Sequence, residues 1–298
     1  MKKLFLLFSL LFYLFGCSIE QYFKKETPNE ELTAIEKLGE IGLDTVSAIK
    51  IKPDYADAYN NRGYVYYKLG KYQIAIDDYS RAIRINPDYA DAYNNRGNSY
   101  NYLGKYQIAI DDYNRAIKIN PDDVGAYNNR GLSYSELGKY QLAIDDYNRA
   151  IKINPDFADI YHHRGLSYSQ LGKYQLALED YNSAIRINPD FADIYYNRGN
   201  SYNYLGKYQL AIDDYSRAIR INPDNLEAYY NRGNSYIYLG KHQLALDDYS
   251  SAIRINPNFA DAYYNRGITK KNLKLEFCSD LKRACNLGKC EAYNKKCK

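Results

Sequence analysis

Prolines stand at Pro53, Pro87, Pro121, Pro155, Pro189, Pro223 and Pro257, an unbroken spacing of 34 residues that uses seven of the eight prolines in the chain. A fixed period of this length restricts the fold more than any composition, because it means one supersecondary unit copied in tandem. Six complete units run from 53 to 256, each close to PDxADAYxNRGxxYxxLGKYQxAIDDYxxAIxIN. A seventh begins at Pro257, loses two residues at its turn and then diverges, and DTVSAIKIKP at 44–53 reads as the second half of a unit. The phrase NRGNSYNYLGKY, found unchanged at 95–106 and at 197–208, is one turn-centred piece of this repeat.

Two helices can be read in each unit. In the second copy Tyr93, Gly97 and Tyr100 recur at helical spacing, and Ile108, Ala109, Tyr113, Ala116, Ile117 and Ile119 give a second stripe. Asp88 is expected to cap the first helix, Gly104 to supply the left-handed residue at its end, and Pro121 to close the second. One such hairpin cannot hold itself folded. Ordering costs roughly 1 to 2 kcal/mol per residue, against about 1.5 to 3 kcal/mol for each large apolar side chain buried, so the copies must cover one another.

The residues Tyr93, Gly97, Tyr100, Ala109, Tyr113, Ala116 and Pro121 match in turn the marker positions of the tetratricopeptide repeat, and the chain resembles that family from Pro53 to about Gly267. The resemblance implies an all-α fold, a right-handed α-solenoid of tandem helical hairpins. One departure recurs: where the family usually has leucine before the glycine, this chain has Arg62, Arg96, Arg130, Arg164, Arg198, Arg232 and Arg266. An ion pair within the unit, Arg96 with Asp112 in the second copy, accounts for it; arginines presented to a ligand are the alternative. On the ion-pair reading, exchanging Arg130 for leucine is expected to leave the array folded with little loss.

MKKLFLLFSLLFYLFGC opens the chain with two lysines and thirteen uncharged, mostly apolar residues, too few to span a bilayer and suited to a secretory signal. Leu14, Phe15, Gly16 and Cys17 resemble a bacterial lipobox, which implies lipidation of Cys17; an ordinary cleaved signal is the alternative. The expected organisation is a signal at 1–16, a polar tether at 17–30, a degenerate half repeat at 31–52, the six units at 53–256, and a divergent seventh unit with a cysteine-rich cap at 257–298. This places the protein in the bacterial cell envelope, lipid-anchored, with Ser18 compatible with outer-membrane delivery. Residues 270–298 are strongly basic, which leaves the array mildly acidic and argues against a nucleic-acid groove.

Of the five cysteines none lies between Ser18 and Phe277. With Cys17 acylated, the remaining four form an even set in an oxidising compartment. Their spacings of seven, five and seven put them on two short helices around NLGK. An antiparallel hairpin brings Cys285 opposite Cys290 and Cys278 opposite Cys297, a nested double staple. A four-cysteine zinc site is the alternative, although zinc ligands usually come in close pairs.

No catalytic constellation is present. His162 and His163 point to different sides of one helix, LGKY lacks the frame of a phosphate loop, no G-x-S-x-G elbow occurs, and the repeated Asp-Asp pairs read as structural. The expectation is a protein that is not an enzyme, with no cofactor and no metal. In the family the first helices line a channel. The positions turned toward it are Asn60, Asn94, Asn128, His162, Tyr196, Tyr230 and Tyr264 at one level, with Tyr64, Asn98, Asn200 and Asn234 further along. Amides and phenols suit an extended polypeptide held through its main chain. The reading is a membrane-anchored adaptor for a protein or peptide, without nucleic acid; an envelope assembly factor holding cell-wall glycan is the alternative.

Overall fold

The computed structural model describes residues 54–297 together with Ile49 and Lys52. The signal at 1–16, Cys17, the tether and nearly all of the half repeat lie outside the described residues. The chain divides into two compact units, Met1–Leu103 and Gly104–Lys298. The first holds α1 (Ala56–Lys68), α2 (Tyr72–Ile85) and α3 (Ala90–Tyr102). The second begins with α4 (Tyr106–Ile119) and continues through four hairpins: α5 (Val124–Glu136) with α6 (Tyr140–Ile153), α7 (Ala158–Gln170) with α8 (Tyr174–Ile187), α9 (Ala192–Tyr204) with α10 (Tyr208–Ile221), and α11 (Leu226–Tyr238) with α12 (His242–Ile255). It closes with α13 (Ala260–Asn272), α14 (Cys278–Asn286) and α15 (Glu291–Lys296). Among the described residues the regular structure is all helical, as tandem hairpins of an α-solenoid.

Each second helix buries one stripe, such as Ala143, Ile144, Tyr147 and Ala150 on α6, while Gln141, Asp145 and Asn148 face water. The stripe packs on its own first helix and on the first helix that follows. Ile160 of α7 lies against Ala143, Tyr147 and Ala150, and Ile194 of α9 against Ala177, Tyr181 and Ala184. Within each hairpin the turn glycine takes the left-handed conformation, φ +69° at Gly138, and the N–H of Lys139 donates to the carbonyl of Tyr134 at 2.8 Å. Asp88 does not cap its helix. Its N–H instead donates to Asn86 Oδ1, and the residue before α3 is Tyr89, which makes no side-chain cap. Where the polar residue falls one place later, at Asp123 and Asn225, its side chain does accept from the first turn.

The helical glycines mark a close approach. A Cβ on Gly165 would stand 2.6 Å from the Tyr181 ring, and Tyr181 is fully buried. Gly165→Ala should therefore overpack by about 1 to 3 kcal/mol, offset in part by the ~1 kcal/mol that alanine gains in helix propensity. A lower urea midpoint with an unchanged m-value is the expected result; an unchanged midpoint would show that the ring has room to retreat.

The last hairpin follows the same plan with different residues. Leu281 replaces the tyrosine opposite Gly267, Lys274 at φ +58° replaces the turn glycine, and the cap carries the disulfides Cys278–Cys297 and Cys285–Cys290.

Candidate partner-binding surface

In the second unit the first helices also touch one another, α5 with α7, α7 with α9 and α9 with α11, so the hairpins lean toward the side that these helices occupy. Along that side runs a ladder of polar side chains. His163 Nδ1 donates to Asn128 Oδ1 at 3.2 Å, and Asn197 Nδ2 donates to His162 Nε2 at 2.9 Å. Asn231 Nδ2 reaches the Tyr196 hydroxyl at 3.2 Å and Asn200 Oδ1 at 3.1 Å. Asn265 Nδ2 reaches the Tyr230 hydroxyl and Asn234 Oδ1, both at 2.9 Å. The same two amide oxygens each accept a second bond, from Tyr215 and Tyr249, at 2.8 Å. In the first unit Asn95 Nδ2 donates to Asn60 Oδ1 at 3.1 Å.

The surface residues named from the sequence thus have different fates. Tyr64 is exposed; Asn94, Asn98, Asn128, Tyr196, Asn200, Tyr230, Asn234 and Tyr264 are half-buried. Asn60 and His162 are buried. Asn95 of the following first helix reaches Asn60, and Asn197 and Phe191 of the following copy reach His162, which spacing along a single helix does not reveal.

The proton of neutral His162 sits on Nδ1, since Nε2 accepts from Asn197. Burial pushes the imidazole down to about 3, and burial likewise lowers His163 to about 4. Each folded value lies below the ordinary 6.5 of the unfolded chain. The stability tied to the neutral rings is therefore complete above pH 6.5 and drains as pH falls from there toward 4. Between pH 7 and pH 5 the loss should be about 2 kcal/mol per ring. In the double variant His162→Tyr, His163→Asn, which carries the residues of the following copy at these places, the unfolding midpoint should stay flatter over that range.

The recurring arginines form a clasp rather than a simple pair. Arg130 donates to both carboxylate oxygens of Asp146, at 2.8 and 2.6 Å, to Asn114 Oδ1 of the preceding copy at 2.6 Å, and lies 5.5 Å over the Tyr127 ring. Arg164, Arg198, Arg232 and Arg266 repeat the pattern, with Asn148, Asn182, Ser216 and Ser250 as the preceding-copy partners. In the first unit Arg62 holds Asp78 and Arg96 donates to Ser80. Arg96 and Asp112 belong to different units, so that pair is represented by its equivalents. Burial raises the Asp146 carboxyl above its ordinary value against the pull of the guanidinium. The preceding-copy contact was missed in the sequence, although the position sixteen residues before each of these arginines, from Arg96 to Arg266, is always asparagine or serine. No group of His, Cys, Asp and Glu suited to a metal ion occurs among the described residues.

Models of the tetratricopeptide repeat match 56–89, 90–123, 192–225 and 226–259, and related repeat models match 112–145, 131–172 and 165–203. Together they run without a gap over more than half of the chain. The chain belongs to the tetratricopeptide repeat family. With membership comes an architecture of protein-interaction scaffolds. No curated protein sequence matches the chain. Among solved structures, a tetratricopeptide repeat protein from Parabacteroides merdae is 23% identical with a TM-score of 0.60, over 81% of this chain and 96% of its own. YrrB, described as a TPR protein with an unusual peptide-binding site, is 23% identical with a TM-score of 0.54, over 63% of this chain and 97% of its own. Pseudomonas aeruginosa pilF is 18% identical with a TM-score of 0.62, over 74% and 96%. These three likenesses show the repeat fold.

Proposed function

We propose that this tetratricopeptide repeat protein is a non-catalytic adaptor of the bacterial envelope, lipid-anchored through Cys17, whose first-helix surface holds an extended protein segment. The observation that carries the binding surface is the fixed orientation of Asn200 and Asn234. Each amide oxygen already accepts two hydrogen bonds, which fixes each side chain with its Nδ2 toward the Tyr196 or Tyr230 hydroxyl and sets amide and phenol together as polar partners for a main chain, one hairpin apart. The peptide-binding site ascribed to YrrB supports the same use of the fold. An oxidising location is supported by the four paired cysteines of the cap.

Photo-crosslinking through benzoylphenylalanine at Tyr230 or Tyr264 in intact cells should trap polypeptide, and Asn200→Leu with Asn234→Leu should lower the yield at least several-fold. Trapping of muramidase-sensitive material alone would replace the peptide reading by the glycan one. Labelling with radioactive palmitate that survives Cys17→Ser would remove the anchor.

A further inference from the structure

The hairpins of the second unit stand side by side, so their turns form two opposite edges, separated by the thirteen-residue first helices, about 20 Å. One edge collects the turns inside each hairpin, with the sequence L-G-K; the other collects the N-P-D turns between hairpins. Large apolar side chains exposed to water are almost confined to the first. Of the fourteen in this unit, thirteen lie at the L-G-K edge and the exception is Phe157. Leu137, Leu171, Leu205, Leu239 and Leu273 are each 37 to 40% exposed at successive turns, and a second aliphatic residue follows at the start of the next helix or in the turn. Exposed Tyr204 and Tyr238 join them, stacked on half-buried Tyr174 at 4.7 Å and Tyr208 at 4.5 Å.

Charge follows the same division. Lys139, Lys173, Lys207 and Lys241 each stand beside the turn glycine, exposed and outside every ion pair among the described residues, and Lys271 and Lys274 continue the row. At the four L-G-K turns Glu136 is the one carboxylate, and it is engaged by Tyr106. The N-P-D edge instead carries Asp122, Asp156, Asp190 and Asp224, two of which pair with cations, as Arg149–Asp122 and Arg217–Asp190.

We propose that the L-G-K edge is a membrane-contacting surface that rests on an anionic bilayer. Leucine and tyrosine at the boundary of water and hydrocarbon, with lysines reaching the headgroups, is the composition that such an interface selects. A second copy of the same edge would set one row of lysines against another, with Glu136, already engaged by Tyr106, the one carboxylate at the turns to answer them. The surface is separate from the first-helix ladder, so the array can lie on lipid while that side stays open. The edge meets lipid whether or not Cys17 is acylated.

The chain contains no tryptophan, which gives a clean reporter. In the full chain, Tyr204→Trp marks the L-G-K edge and Phe157→Trp the opposite one. On adding vesicles of phosphatidylglycerol and phosphatidylcholine with brominated acyl chains, the indole emission of the Tyr204→Trp variant should shift to the blue and be quenched, while that of Phe157→Trp should not. Lys173→Gln, Lys207→Gln and Lys241→Gln together should weaken the quenching by on the order of a hundredfold in lipid concentration, with far-UV circular dichroism unchanged. Added salt should act in the same direction. No quenching at position 204 while palmitate labelling of Cys17 persists would overturn the edge and leave the anchor. Equal quenching at both positions would overturn it as well. A blue shift at position 204 that grows with protein concentration and needs no lipid would assign the edge to a second copy.

Discussion

Arg130→Leu should destabilise the array by about 2 to 4 kcal/mol, and Asp146→Leu in the same chain should recover most of that loss. The reason is the asymmetry of a half-buried ion pair. The Asp146 side chain is 7% exposed, and Arg130 supplies its two short hydrogen bonds. Leucine alone would leave that carboxylate without its cation in an apolar seam, and would also cut the tie to Asn114. Burial already raises the carboxyl, so the orphaned group would tend to take up a proton, which limits the cost without removing it. With both partners apolar, desolvation is no longer at issue, and the family's usual leucine is restored. The mild loss expected of Arg130→Leu from the sequence overlooked this second partner. Urea unfolding of the two single variants and the double variant decides the matter: a coupling energy near zero would mean that the pair is a surface ornament.

Reduction of the cap, or Cys278→Ser with Cys297→Ser, should release α15 and loosen α14. The Cys278–Cys297 bridge closes a separation of 19 residues, worth about 3 kcal/mol by loop entropy, and Cys285–Cys290 closes 5, worth about 2 kcal/mol. These helices have nine and six residues, too short to persist alone. α14 is held further by buried Leu281 and Ala284 and by Asp280, which Arg266 and Lys270 together keep below the ordinary carboxylate range although burial pulls it up. α15 contributes little beyond buried Ala292. Because stability in a stack passes between neighbours, amide exchange should quicken first in α15, then in α14 and α13, and hardly at all in α5 and α6. Uniform protection before and after reduction would show that packing alone secures the end.

The surface residues were legible only in part. Spacing placed Asn200, Asn234, Tyr196 and Tyr230 on the inner side of the first helices. It could not foresee that Asn231 and Asn265 would bind them from the next helix, because that partner lies 31 to 35 residues away, across a contact that exists only once the hairpins are stacked. His162 shows the same limit more sharply. Its copy position is that of the half-buried Tyr196, yet it is buried, against Tyr181 of its own hairpin and Phe191 and Asn197 of the following copy.

What the sequence determined by itself is the repeating hairpin: a strict period, a glycine that must turn left-handed, a proline that must end a helix, and small residues where a tyrosine ring comes close. Each of these is enforced within one copy by backbone sterics and local spacing. Which amides face one another, how each arginine divides its donors between two copies, and which turn residues remain exposed in a row along one edge were decided by the tertiary structure. Those properties depend on distances between copies, and no chain has such distances until its repeats have packed.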